Sequence, residues 1–373
     1  VAFGLLFLVG FSIAQLGAAP FLVPQEAEAG LRAGLASRCA DTTASNSATV
    51  TFGLANCQTV PTGQIVTWNE TNNGPGGAWH RLAKLADGSW LRVLTVFPAE
   101  GRTELRIYRS VDNLRSWQVL AAVDDGQRLV DNGFLYLLPN GELLLAARNN
   151  IISSSYKISQ WRSADNGITW VRETDPVAAT KGLWEPEYHS SANGLAITWS
   201  DESQDGLSQV IRERTSADNG KTWSDPMTIV SDGPSGRPGM STVTKMANGK
   251  YLLAYEVCGT QGCVIFNKQS DDGSSWPDGI GTPIPGAVCG PFITSLSDGR
   301  VILTACRKSD ADQTVPVVYS NDFGVTWQSN DSAFTDAGQY GGWPSLYQVG
   351  PDEIAAVSDG RIRFGTLAPR VSP

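Results

Sequence analysis

The chain has 373 residues, enough for one large domain or two ordinary ones, and a formal net charge of −9. Its 28 Lys and Arg residues are scattered rather than clustered, which argues against nucleic acid or an anionic membrane as a partner. Cys/His metal spacing, a P-loop and a Gly-x-Ser-x-Gly elbow are all missing, so we expect no metal site and no cofactor.

Phe3 to Ile13 is an apolar run followed by small residues at Ala14, Gly17, Ala18 and Ala19. We read residues 1–19 as a secretory signal without its usual basic start, too short to span a bilayer comfortably. Residues 20–62, rich in Ala, Ser and Thr, read as an N-terminal extension or pro-segment, and residues 63–373 as one domain. From there the chain repeats. A loop of the form Ser-x-Asp-x-Gly-x-Thr/Ser-Trp recurs at Asp112, Asp165, Asp218, Asp271 and Asp322, in steps of 53, 53, 53 and 51 residues. Leu114 holds the Gly place in the first copy, and Gln269 the Ser place in the fourth. The Asp can accept backbone N–H groups and close a turn, the Gly supplies positive φ, and the Trp packs beneath. A fixed period of this size means one supersecondary unit copied around an axis or along a stack. These loops resemble the Asp boxes of sialidase-like β-propellers, where they join the third and fourth strands of a blade.

Second strands of the units read Trp90–Val96, 142–147, 195–199, 250–255, 300–305 and, more weakly, 353–357. Their alternation and β-branched content predict half-buried strands. Residues 64–373 number 310, about six units of roughly 52. The sixth unit runs out near Arg361–Thr366, while the strand 64–68 precedes the first unit and has no partner of its own. The economical solution is an all-β, six-bladed β-propeller whose ring is closed by that N-terminal strand in the last blade, leaving no sheet edge free. Six cysteines in a secreted chain suggest bridges, with Cys289–Cys306, Cys258–Cys263 and Cys39–Cys57 as the pairing we expect. Asn69-Glu-Thr71 and Asn330-Asp-Ser332 are glycosylation sequons.

Superposing the units brings certain residues to the axis. First strands begin at His80-Arg81, Asp131-Asn132, Glu185, Arg237, Gly290 and Trp343, and second strands end at Arg148, Asp201, Glu256 and Arg307. Glu185 and Glu256 interrupt apolar strands there. Glycoside hydrolysis needs two carboxyls with their pKa values pushed apart, and a strand at a pocket floor gives the rigidity and desolvation for it. The plainer alternative for each is an ion pair with a channel Arg; Glu187 competes with Glu185 but fits the register less well. Arg148, Arg237, Arg307 and Asp201 could hold hydroxyls or orient one another, and His80 could contact sugar. Trp79, Trp184 and Trp343 fall outside the turn signatures and could serve as sugar platforms.

Gly182-Leu-Trp-Glu-Pro-Glu187, Trp199-Ser-Asp201, Gly236-Arg-Pro-Gly-Met240 and Asn248-Gly-Lys-Tyr-Leu-Leu-Ala-Tyr-Glu256 together resemble glycoside hydrolase family 93. The resemblance spans residues 64–367 and is densest between 180 and 260. It implies a secreted six-bladed propeller acting as a retaining exo-arabinanase, releasing arabinobiose from the non-reducing end of α-1,5-linked L-arabinan. It further implies Glu185 as nucleophile and Glu256 as acid/base; Tyr340 is a further candidate substrate contact. The partner would be a plant cell-wall polysaccharide or oligosaccharide, and the protein a monomer. Two departures stand out: Val-Cys-Gly-Thr-Gln-Gly-Cys263 follows Glu256 in place of a Gly-rich aromatic loop, and Glu187 follows Pro186 where an apolar residue is usual. A sialidase with Arg81, Arg237 and Arg307 as triad and Tyr340 or Tyr347 as nucleophile is the nearest rival. A propeller polysaccharide lyase using His80 or His189, and a non-catalytic carbohydrate-binding propeller, are the others.

Overall fold

The computed structural model describes residues 37–40, 48–51, 63–151, 153–306, 314–336, 343–358 and 360–370. The chain divides into one unit over residues 1–61 and another over 62–373. In the first, the described residues form a two-stranded antiparallel pair, Ser37–Ala40 with Ala48–Thr51. The expected signal over 1–19, the remainder of the extension and the pairing of Cys39 with Cys57 lie outside the described residues.

The second unit is six antiparallel sheets, with no helix among its described residues. Blade one is Ala78–Lys84, Trp90–Val96, Glu104–Ser110 and Gln118–Val123. Blade two is Leu129–Leu137, Leu143–Ile151 and Ser155–Ser163, its outer edge split between Val171–Arg172 and Val177–Ala179. Blade three is Leu183–Ser191, Gly194–Asp201, Val210–Ser216 and Met227–Val230, and blade four Arg237–Lys245, Tyr251–Cys258, Val264–Ser270 and Thr282–Val288. Blade five is Phe292–Ser295, Val301–Thr304, Val315–Ser320 and Gln328–Phe334. Blade six is Ser345–Gln348, Glu353–Ser358 and Arg361–Leu367, with Val66–Asn73 as its fourth strand.

Six hydrophobic clusters hold these sheets together, one at each blade boundary among the described residues. Leu143, Leu145 and Ala147 pack toward blade one with Leu91 and Val93, while Leu144 and Ala146 pack toward blade three with Ile197 and Trp199. All five are fully buried. The expectation of half-buried second strands is therefore corrected: a sheet wedged between two neighbours buries both faces, so its residues alternate between two cores rather than between core and water.

The repeated turns show why the signature has its composition. Ser163 Oγ accepts the Gly167 N–H at 2.9 Å and donates to Asp165 Oδ1 at 2.8 Å. Asp165 in turn accepts the Thr169 N–H at 2.9 Å and its hydroxyl at 2.6 Å, and these bonds hold its carboxyl down at about 2. In the fourth copy the residues in these roles are Ser270 and Asp272, one position later than the spacing suggested; Asp272 accepts the Ser275 N–H at 2.7 Å, whereas Asp271 pairs with Lys250. Leu114 adopts the left-handed conformation at φ 73° in the place of Gly, with its side chain fully buried between blades six and one. That conformation costs about 1–2 kcal/mol and burying a Leu returns about 1.5–3 kcal/mol, so the substitution is tolerated.

Where the ring closes, Asn330 clasps the incoming strand. Its Oδ1 accepts the N–H groups of Ile65 and Val66 at 2.8 and 2.9 Å, and its amide donates to the carbonyls of Val66 and Asp331. The residue is 9% exposed, so this sequon presents no free amide, whereas Asn69 is exposed on the outer strand. Asn330→Ala would leave two backbone donors unpaired, and we expect a loss of about 2–4 kcal/mol. Denaturant unfolding measures it; an unchanged midpoint would mean that the ring closes without this clasp.

Between blades three and four the apolar cluster of Ile211, Leu253, Tyr255 and Val257 gives way to a polar seam. Glu187, Thr198 and Glu213 stand opposite one another across blade three. Glu187 accepts the Val243 N–H, Thr198 the Ser241 hydroxyl, and Glu213 the Trp276 indole N–H at 3.1 Å. Burial pushes the Glu187 and Glu213 carboxyls up to about 8 and the His189 imidazole down to about 4. His189 and Glu213, 3.5 Å apart, therefore face each other as neutral groups at pH 7, because ionising both without water costs more than their attraction returns. An acid whose folded pKa is raised stabilises the fold below its unfolded pKa and loses that contribution as pH rises through the folded value. Melting temperature should accordingly fall between about pH 5 and pH 9, and Glu213→Gln should flatten that decline. A variant with the same slope as the parent would contradict the seam's charge state.

Candidate active site

The inner strands share one irregularity. In blades one to four the pairing with the second strand slips between Ala78 and Arg81, Asp131 and Phe134, Trp184 and Glu187, and Gly239 and Thr242. At each slip one residue takes a left-handed conformation: Trp79 at φ 57°, Asn132 at 52°, Glu185 at 45° and Met240 at 53°. Cys289, Gly290 and Trp343 do the same where blades five and six begin. A bulge with a left-handed residue re-aims a side chain that regular pleating would send into a neighbouring sheet. For Glu185 the conformation costs on the order of 1–3 kcal/mol, and it persists because the surrounding hydrogen bonds fix it.

Glu185 Oε2 accepts the Ser200 hydroxyl at 2.8 Å, and Ser200 Oγ in turn accepts the Met240 N–H at 3.3 Å. Glu256 stands opposite Gly239 in blade four, the residue just before Met240. Its Oε2 accepts the Gly290 N–H of blade five at 2.8 Å. The two carboxyls thus flank one short stretch of backbone, residues 239–240, and both remain partly exposed. Burial raises each to about 7. For Glu185 the Ser200 hydroxyl, the Arg148 charge and the Met240 N–H pull the other way, and Glu202 adds to the rise. For Glu256 the Gly290 N–H and Arg237 oppose the rise and the Glu185 charge adds to it. The Glu185 charge thus reaches the Glu256 carboxyl and makes it harder to ionise.

Two ion pairs bracket them. Arg148 is gripped by both oxygens of Asp131 at 2.5 and 2.6 Å and lies 4.4 Å over the Trp184 ring. Arg237 donates to Glu202 at 2.5 Å, to Gln209 at 2.8 Å and to Ser208 at 3.1 Å. Gly182 is needed beneath Trp184, since a Cβ there would meet the indole nitrogen and a Glu202 oxygen at 2.4 Å. Trp343 packs on Trp79 with ring centroids 5.6 Å apart.

Other anticipated residues are taken up by the frame. Asp201 is 2% exposed and accepts from the Trp199 indole, the Ser203 N–H and the Ser203 hydroxyl. His80 is 3% exposed; Arg92 donates to its Nδ1 at 3.2 Å, and its Nε2 lies 3.1 Å from both the Gly77 carbonyl and the Gly360 N–H. Burial and the Arg92 charge hold its imidazole well below the usual range, so it is neutral. Glu187 lies on an axial cavity of about 330 Å³ with Leu82, Phe134, Phe292 and Tyr347, its carboxyl committed to Val243. Arg307 and Tyr340 lie outside the described residues. Among the described residues no cluster of His, Cys, Asp and Glu could hold a metal. Sequence reasoning missed Ser200 and the Gly290 N–H. Ser200 sits inside the Trp199–Asp201 signature, and its register opposite Trp184 was the available signal; a backbone donor such as Gly290 leaves none.

No family model matches this chain, and no curated protein matches it in sequence. Solved structures do match its fold. The alpha-L-arabinanase of Penicillium chrysogenum, complexed with arabinobiose, aligns over 81% of this chain and 98% of its own at 20% identity, with a TM-score of 0.67. The GH93 alpha-L-arabinofuranosidase of Fusarium graminearum with arabinobiose aligns over 82% and 98% at 19% identity, with a TM-score of 0.66. The NanB sialidase of Streptococcus pneumoniae aligns over 86% and 74% at 11% identity, with a TM-score of 0.61. At these identities the likeness is one of fold, and the six-bladed wheel derived above is the fold this chain shares with these glycosidases.

Proposed function

We propose that this protein is a secreted, retaining, exo-acting glycoside hydrolase that releases arabinobiose from the non-reducing end of α-1,5-L-arabinan. The observation that carries the reading is the pair Glu185 and Glu256, partly exposed, contributed by adjacent blades and each raised to about 7. Their surroundings are unequal. Glu185 has a hydroxyl, a backbone N–H and the Arg148 charge favouring its ionised form and the Glu202 charge against it, whereas Glu256 has one N–H and Arg237 in favour and the Glu185 charge against. With the Gly182–Glu187 and Asn248–Glu256 signatures that resemble family 93, these surroundings support Glu185 as the nucleophile and Glu256 as the acid/base. The Glu185 carboxylate attacks the anomeric carbon as the bond to the leaving oxygen breaks and Glu256 delivers its proton to that oxygen. Glu256, now ionised, takes a proton from water, the water oxygen adds to the anomeric carbon, and the ester to Glu185 is released.

Arg148 and Arg237 serve as hydroxyl donors, and Trp184 or Trp343 as a stacking surface. Asp201 and His80 belong to the scaffold in this reading, because their polar atoms are already committed. Two described disulfides, Cys258–Cys263 and Cys289–Cys306, support an oxidising, extracellular setting. Arabinobiose as product follows the ligand bound by the two fungal structures. A sialidase would need Arg81 at its substrate carboxylate, yet Arg81 is 5% exposed and donates to the carbonyls of His80 and Trp343.

Linear arabinan digested with the protein should yield arabinobiose as the first product, and Glu185→Gln and Glu256→Gln should each lower kcat by about 10³-fold or more. Because the reaction needs one proton on the pair, kcat/KM should be bell-shaped about neutrality, falling when both acids are protonated and again when both are ionised. Near-normal turnover in either variant would refute its role, and release of sialic acid from sialyl-lactose would replace the substrate.

A further inference from the structure

Both described disulfides converge on Glu256. Cys258 follows it by two residues in the same strand and is bridged to Cys263. The Cys263 carbonyl accepts the Cys289 N–H at 2.9 Å, and Cys289 is bridged to Cys306, whose N–H donates back to the Cys289 carbonyl at 3.0 Å. Gly290, whose N–H reaches Glu256, is the next residue. Cys289 and Gly290 are consecutive left-handed residues at φ 50° and 48°. Such pairs recur at Asn113-Leu114, Asn166-Gly167, Asn219-Gly220 and Phe323-Gly324, where the Ser of each repeated turn holds the second residue's N–H; the Cys289-Gly290 pair has no such Ser and needs another restraint. The covalent bridge and the two carbonyl contacts of Cys289 supply it. A Cβ on Gly290 would stand 3.5 Å from Cys306 Sγ, so the bridge also packs directly on the donor residue.

We propose that the Cys289–Cys306 bridge is a positioning element for the acid/base: it locks the Cys289–Gly290 turn so that the Gly290 N–H points at the Glu256 carboxyl, and opening the bridge releases that donor. Its catalytic consequence rests on the reading of Glu256 as acid/base; the structural link does not. Among the described residues, the charged groups that act on Glu256 are Glu185 from blade three and Arg237 from the inner strand of its own blade, while blade five contributes only the uncharged Gly290 donor. Removing that donor leaves burial and the Glu185 charge opposed by Arg237 alone and makes Glu256 harder to ionise. The first step, which needs Glu256 protonated, is then spared. The second step, which needs it as a base, is slowed, so kcat and KM fall together while kcat/KM, set by the first step, holds.

The test uses the full chain in three forms: wild type, Cys289→Ala/Cys306→Ala, and wild type reduced by a phosphine under native conditions. The Glu256 carboxyl is followed by carbon NMR titration, assigned with Glu256→Gln, beside the pH profile on linear arabinan. Opening the bridge should raise the Glu256 pKa by about 1 unit and lower kcat by about tenfold, with KM falling in parallel and kcat/KM within about twofold. Re-oxidation of the reduced protein should restore both. An unchanged Glu256 titration in the folded, reduced protein or in a folded double variant would overturn the proposal. Should the double variant not fold, the reduced wild type decides alone. Failure of wild type to cleave arabinan would instead count against the function proposed above, and the carboxyl titration would still decide the role of the bridge.

Discussion

One backbone constraint governs the hub of this molecule. Each inner strand must pack its flanks against two neighbouring sheets and still present something to the axis, and regular pleating cannot do both. The chain resolves this by slipping register at the same height in four successive blades, with a left-handed residue at each slip. At blade three that residue is Glu185, a type that seldom adopts this conformation. The strain is held by Ser200 from the adjacent strand, which is itself tied to Met240, the corresponding left-handed residue of blade four. Two neighbouring bulges thus brace each other, and the acid sits where they meet.

Four carboxyls in this part of the wheel are raised by burial, and their partners separate their roles. Glu187 and Glu213 lie in the seam, with exposures of 6% and 1%, and serve as neutral hydrogen-bonding groups that join blades three and four. Glu185 and Glu256 each retain some exposure, and the Glu185 charge acts on Glu256. Desolvation alone would have marked all four as candidates. Exposure and the Glu185 charge on Glu256 single out two of them as the pair the proposed function uses.

Much of this was legible in the sequence, for physical reasons that can be named. The turn signature reports its own hydrogen bonds, since Ser, Asp and Thr each fill a fixed role, and its period gives the wheel. The same signature misled by one residue at Asp271, because Ser270-Asp271-Asp272 offers two acids and only the geometry shows that Asp272 faces Ser275. Second strands read as half-buried because periodicity cannot tell water from a second core on the other face. Blade register placed Glu185 and Glu256 at one end of the wheel. It placed Asp201 and His80 there as well, and could not show that their polar atoms are spent on their own frame. The donors that set the acids apart, the Ser200 hydroxyl and the N–H groups of Met240 and Gly290, include two backbone groups. Side-chain identity carries no record of those.

The central claim is that adjacent blades bring Glu185 and Glu256 to the two sides of one sugar. A crystal structure of the Glu256→Gln protein soaked with an arabinan oligosaccharide examines it without reliance on rates. The account predicts the anomeric carbon within about 3.5 Å of a Glu185 oxygen, the leaving oxygen beside residue 256, and the two side chains about 5–5.5 Å apart. A sugar seated elsewhere on the wheel, or side chains more than about 10 Å apart, would contradict it.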